Sequence, residues 1–118
     1  MAIIPYAQAK AASASGTSHD FTFTGVAEDL QLSQIQLDFS ATPGASSWFL
    51  TYDSDRLLRV AGSAVTATQA GAAGFGIATA LNGVVVAAGV LGTAGTLYLR
   101  VITTNAVTVT PRLVGYRG

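Results

Sequence analysis

The chain has 118 residues, no cysteine, one histidine, and six Lys/Arg balanced by six Asp/Glu. That length suits one domain able to bury its own core; the composition excludes disulfide scaffolds and zinc–thiolate sites and leaves no electrostatic footprint for nucleic acid. Charged residues make up 10% of the chain against roughly a quarter in ordinary globular domains, so a lone monomer would be sparing with surface charge and self-association is favoured.

The first ten residues, MAIIPYAQAK, have no basic stretch before their short apolar run, and Pro5 breaks that run, which does not fit a secretory signal. Ala7 to Ser18, rich in Ala, Ser and Gln with Lys10 the one charge, lacks a core-facing stripe and suits a tail or arm, or a short helix if something supports it, so residues 1–18 are expected as an extended N-terminal arm that orders against something else. The β-domain is expected over 19–118. Phe21 and Phe23 alternate with Thr22 and Thr24; Leu30 and Leu32 are followed, after a one-residue slip at Ser33-Gln34, by Ile35, Leu37 and Phe39. Such a slip predicts a β-bulge. Pro43-Gly44 and Asp53-Ser54-Asp55 predict turns on either side of the alternating Trp48, Leu50 and Tyr52. Arg56 to Ala61 and Ala64 to Gln69 predict short strands around Gly62.

From Val60 to Leu99 there is no Asp, Glu, Lys, Arg or His. A run of that length passes the length test for a membrane helix, but its recurrent glycines and threonines argue against one. Asn82-Gly83, with apolar residues on both sides, is the strongest short signal for a β-hairpin. The expected hairpin sets Leu81 against Val84, Thr79 against Val86, Ile77 against Ala88 and Phe75 against Val90. Its other face would then carry Gly76, Ala78, Ala80, Val85, Ala87 and Gly89, all small and uncharged, because a period of two sorts the two sets onto opposite sides. A smooth uncharged face allows close backbone approach and marks a protein interface, and these residues are the candidate interface. The reverse, in which the small face meets a second sheet and the bulky face meets a partner, stays open, since a central hairpin can be buried on both faces.

In the last segment, a three-residue loop Thr104–Ala106 would pair Thr103 with Val107, Val101 with Val109, Leu99 with Pro111 and Leu97 with Leu113, leaving Tyr98 opposite Arg112 on the other face. Pro111 cannot donate to a ladder and predicts an edge or a bulge. With about eight or nine short strands, turn signals between them and no amphipathic helix, the expected fold is all-β, an antiparallel β-sandwich or jelly roll.

Chemistry is weakly signalled. His19 beside Asp20 evokes a triad, but adjacent strand residues point to opposite faces and no serine is implicated. Asp53 and Asp55 begin a calcium-loop pattern without the Gly and acidic partner it needs. Gly71 to Gly76 lacks the Lys-Ser/Thr of a phosphate loop, and one histidine without cysteine is short of ligands for a transition metal. Tyr98 and Arg112 could form a cation–π pair. No catalytic residue, metal ligand or cofactor is expected.

The Ala/Ser-rich start MAIIPYAQAKAASASGTS, the smooth uncharged segment and the C-terminal TLYLRVITTNAVTVTPRLVGY together resemble the small virion proteins of tailed bacteriophages, most nearly capsid cement or decoration proteins. The resemblance is one of overall character. It implies a homo-oligomer, a trimer favoured, seated on the capsid surface of the virion after synthesis in the host cytoplasm, clamping major capsid protein subunits, with neither nucleic acid nor membrane as partner. Two other classes remain as expectations. A fibre, tail or adhesin module recognising a surface carbohydrate or protein would expose aromatics such as Trp48, Tyr52, Tyr98 or Tyr116, and a hydrolase would need Asp53 and Asp55 buried in a cleft.

Overall fold

A computed structural model describes residues 4–26, 30–57, 59–66, 75–86 and 95–117. Ala87 and Gly89 of the candidate interface, and Gly71 to Gly74, lie outside the described residues. The strands are β1 (Ile4–Ala9), β2 (Gly16–Phe23), β3 (Leu30–Phe39), β4 (Ala45–Thr51), β5 (Arg59–Thr66), β6 (Phe75–Val86), β7 (Leu97–Val107) and β8 (Val109–Arg117). They form two four-stranded sheets, β1-β8-β3-β6 and β2-β7-β4-β5. The antiparallel pairs β1·β8, β2·β7, β3·β6 and β4·β5 describe one long ribbon doubled back at β4–β5. Pairing of β8 with β3 and of β7 with β4 closes the rolled ribbon. This is a jelly roll, two Greek keys folded into a sandwich.

Alternation explains the core. From the first sheet come Leu30, Leu32, Ile35, Leu37, Phe39, Val109 and Leu113, and from the second Phe21, Phe23, Trp48, Leu50, Leu97, Leu99 and Val101, all buried. Each such side chain contributes about 1.5–3 kcal/mol by leaving water. The slip at Ser33 is the expected bulge: Leu32 pairs with Gly115 and Gln34 with Val114, two steps on β3 against one on β8. The bulge keeps both halves of β3 facing the core. Ser33 Oγ donates to the Val114 carbonyl at 3.2 Å, and a Cβ on Gly115 would run into the Gln31 carbonyl, so only glycine fits there.

The Asn82-Gly83 hairpin does not form. Residues 75–86 are one strand, whose two halves both pair with β3, and Leu81, Asn82 and Gly83 stand opposite Ser33 alone as an irregularity in the ladder. A turn preference acts locally. Here a ten-residue apolar-alternating strand offers both halves a partner, and tertiary pairing overrides it. Phe75, Ile77, Thr79, Val84 and Val86 take register positions opposite Phe39, Leu37, Ile35, Leu32 and Leu30 of β3, whereas Gly76, Ala78, Ala80 and Val85 stand opposite Asp38, Gln36, Gln34 and Gln31.

Three further expectations are corrected. β7 and β8 do not pair: they lie in different sheets, and the chain crosses between them at Thr108. The residues that the hairpin register sets on one face, Leu97, Leu99, Val101, Thr103, Val107, Val109, Pro111 and Leu113, are all buried, because a sandwich has two inner faces and a strand can change sheet without changing side. The segment expected as an arm is tied into the sheet from Ile4 onward, with β1 paired along β8. It covers a flank of β8 with backbone hydrogen bonds while its side chains stay largely outside, which is why no hydrophobic stripe announced it. Pro111 sits just past the end of that pairing, where its carbonyl accepts Lys10 N–H at 3.1 Å and no donor is required of it. Between β4 and β6, the two short strands expected around Gly62 are a single strand, β5, through that glycine.

Candidate functional site

Three polar features are built on β2, β4, β5 and β7. The first lies between the sheets. His19, 1% exposed, has Nδ1 at 2.7 Å from Ser13 Oγ and Nε2 at 3.2 Å from Thr103 Oγ1. Ser13 Oγ already accepts the Val109 N–H at 3.0 Å, so its own proton goes to Nδ1. Nε2–H then donates to Thr103, whose hydroxyl donates to the Asn105 carbonyl at 2.8 Å. Every member of this chain is satisfied with the imidazole neutral. Burial pushes the His19 pKa down, offset in part by the nearby Gly16 backbone and the Asp20 charge. The cluster fastens the β1–β2 connection to β2, β7 and β8.

The second feature is on the outer face, one residue along. Asp20 accepts from Arg100 Nε at 2.8 Å and Nη2 at 3.2 Å. Arg56 Nε lies 3.3 Å from the same carboxylate without hydrogen-bond alignment. Arg100's paired bonds, with the Arg56 charge beside them, hold the Asp20 carboxyl below its usual range. No triad assembles from His19 and Asp20, because one strand step puts their side chains on opposite faces.

Arg56 also lies over the Tyr98 ring, 5.3 Å from its centroid. Tyr98 therefore takes Arg56 as its cation; Arg112 is in the other sheet, paired with Ala9 and Gln36. The expected Asp53–Asp55 turn is present: Arg56 N–H donates to the Asp53 carbonyl and Leu57 N–H to Asp53 Oδ1, both at 3.0 Å. Asp53 thus works as a turn residue and Asp55 is exposed. Among the described residues, no group of three or more His, Asp or Glu is placed to hold a metal.

The third feature is a groove of about 420 Å³ on the outer face of the second sheet. Ser47, Phe49, Arg59, Gly62, Ser63 and Ile102 line it. Phe49 and Gly62 are register partners, and a Cβ on Gly62 would come within 3.2 Å of Phe49 Cβ and the Trp48 carbonyl. The missing side chain keeps the groove open. The Arg59 guanidinium lies over Phe49, 4.7 Å from the ring centroid. The sequence hint was a lone glycine inside a strand, which marks a close approach, but nothing local said which strand would face it.

Of the aromatics expected on a binding surface, Trp48 is buried in the core, Tyr98 lies beneath Arg56, and Tyr116 is exposed. Of the candidate interface, Gly76, Ala78, Ala80 and Val85 fall together along β6, the last strand of its sheet. No family model matches the chain, and no curated protein matches it either.

Proposed function

We propose that this protein is a non-catalytic assembly component, a virion decoration or cement protein that self-associates, a trimer favoured, and stabilises a capsid lattice by binding to it. The observation that carries the reading is the edge strand β6. Its sequence, FGIATALNGVVV, has no charge and no proline, and among the described residues no strand covers its outer side. Natural sheet edges are blunted by charge, proline or shortness. The other three edges show such features: β1 has Pro5, β2 has Asp20 and β5 has Arg59. An edge twelve residues long without any of them suits a protein contact. Viral capsid domains use the jelly roll, as do lectins, so the fold is compatible with this role without specifying it. Binding alone is enough for the stabilising role, since a partner that binds only the folded, assembled state shifts the balance toward it.

The test is oligomeric state. Ala80→Glu or Val85→Lys places a charge in the middle of the contact, and an unpaired buried charge is expensive. Light scattering should show an oligomer for the wild type and its loss in both variants, with circular dichroism unchanged. A monomeric wild type, or variants that assemble as before, removes the self-association. For the lattice, particles stripped of the protein should open at lower temperature and recover on adding it back; equal robustness removes the cementing role.

The groove over Gly62 favours a second reading, a module that recognises a surface carbohydrate or protein. Titration with a glycan panel separates the two: saturable sugar binding by a protein that does not self-associate would replace the first reading with the second.

A further inference from the structure

The turn between β4 and β5 inverts the usual order of burial. The Arg56 side chain is 12% exposed, and the next residue, Leu57, is 77% exposed. Arg56 adopts a left-handed backbone, φ 59°, which costs a non-glycine residue about 1–2 kcal/mol. It is held by its contacts with Asp20 and Tyr98, by its Nη1 bond to the Ser54 carbonyl at 3.0 Å, and by Thr51 Oγ1 donating to the Asp53 carbonyl at 3.2 Å. A turn shaped only for solubility would place the guanidinium outside and the leucine inside. Strain that keeps an apolar side chain in water is a sign of a contact made elsewhere.

The groove on the outer face of the second sheet is lined by Arg59, two residues after Leu57, and by Ile102, itself 43% exposed. Three guanidiniums, Arg56, Arg59 and Arg100, lie on this side of the second sheet, and the Asp20 carboxylate there is already divided between Arg56 and Arg100. Among the described residues no carboxylate pairs with Arg59. Stacking on Phe49 pre-orders its planar fork, so less side-chain freedom is lost when a carboxylate takes it. We propose that this groove docks a protein segment carrying a carboxylate flanked by aliphatic side chains, with Arg59 binding the carboxylate and Leu57 and Ile102 receiving the aliphatic flanks.

A glycan fits less well, because Arg59 covers the Phe49 ring face on which a sugar would stack. A second copy of this face is disfavoured, since the Asp20 carboxylate it would offer to Arg59 is already divided between Arg56 and Arg100. The inference is independent of the assembly reading, because a monomer that decorates nothing would carry the same groove.

The test is amide chemical-shift mapping with three probes on the intact protein: acetyl-Leu-Glu-Leu-amide, the same peptide with Gln for Glu, and free glucuronic acid. The Glu peptide should move the amides of Ser47, Phe49, Gly62 and Ile102. Its affinity should fall about tenfold or more with the Gln peptide and with Arg59→Gln, the loss of a charge-assisted hydrogen bond. Arg59 is exposed, so R59Q should fold, and an unchanged far-UV spectrum checks that. Leu57→Ser should weaken the peptide while leaving Arg59 stacked. The proposal is overturned if Glu and Gln peptides bind alike, if R59Q binds as the wild type does, if no shift occurs at millimolar peptide, or if glucuronic acid moves these amides as strongly as the peptide.

Discussion

His19 lies between the sheets with both ring nitrogens bonded to hydroxyls, while Asp20, the next residue, lies on the outer face with both carboxylate oxygens on Arg100. One strand step separates a water-excluded site, where polar partners are obligatory, from a solvated one, where they are optional. The inner cluster joins four parts of the fold: the β1–β2 connection through Ser13, β2 through His19, β7 through Thr103 and β8 through the Val109 N–H. The outer cluster joins strands already paired to each other and adds one turn, through Arg56. Loss of an inner member strands buried hydroxyls; loss of an outer member returns its partners to water. The same number of hydrogen bonds is therefore worth different amounts on the two sides of β2.

The largest consequence is expected for His19→Ala. It opens a cavity and leaves Ser13 Oγ and Thr103 Oγ1 short of a partner, which should lower stability by about 2–4 kcal/mol. Urea unfolding with an unchanged slope measures it. A loss below about 1 kcal/mol would mean that the site relaxes or admits water, and the contrast with Asp20 would shrink accordingly.

The same contrast shows what could be inferred before the fold was known. Alternation put His19 and Asp20 on opposite faces, and it correctly sorted Leu97, Leu99 and Val101 from Tyr98 and Arg100, because a period of two is a property of each strand alone. Partnership is not such a property. A hairpin would set Thr103 against Val107 and Tyr98 against Arg112, but among the described strands of this rolled ribbon only β4 and β5 pair with their sequence neighbour. Hence nothing local marks Ser13, within the expected arm, as bonded to a histidine six residues on and to a strand at Val109. Gly62, likewise, became a groove floor only when β4 supplied Phe49 opposite it. The slip at Ser33 is legible because a bulge changes the phase within one strand; the Asn82-Gly83 turn preference is overridden because a long-range partner decides the outcome.

A smaller effect follows from pH. The His19 pKa is lowered on folding from its ordinary 6.5, so the unfolded chain takes up a proton first as pH falls. Its contribution is complete above the unfolded value and is lost as pH drops from about 6.5 toward the folded value, with a slope of at most about 1.4 kcal/mol per pH unit. The chain has one histidine, so this window is attributable to it. His19→Ala should flatten stability there. Asp20 is also lowered on folding, from 3.8, and its contribution is present above that value and lost as pH falls below it. Wild-type stability that stays level between pH 7 and 5 would show that the buried imidazole takes up its proton without penalty.

The smallest effect is expected on the outer side. Asp20→Asn removes the charge that Arg100 and Arg56 share. The Asp20 side chain is 42% exposed, and solvent screens such a pair, so the loss should be about 0.2–1 kcal/mol and should shrink in high salt. Its local effect should exceed its global one. Arg56 keeps its place over Tyr98 partly through Asp20, and its left-handed backbone persists only while those contacts hold it. Amide exchange at Arg56 and Leu57 should therefore quicken by more than the global loss accounts for, while the His19 pKa should move further down, since the Asp20 charge that partly offsets its burial is gone. If D20N instead unfolds the β1–β2 connection, the two sides of β2 are coupled through the strand and cannot be treated as separate media.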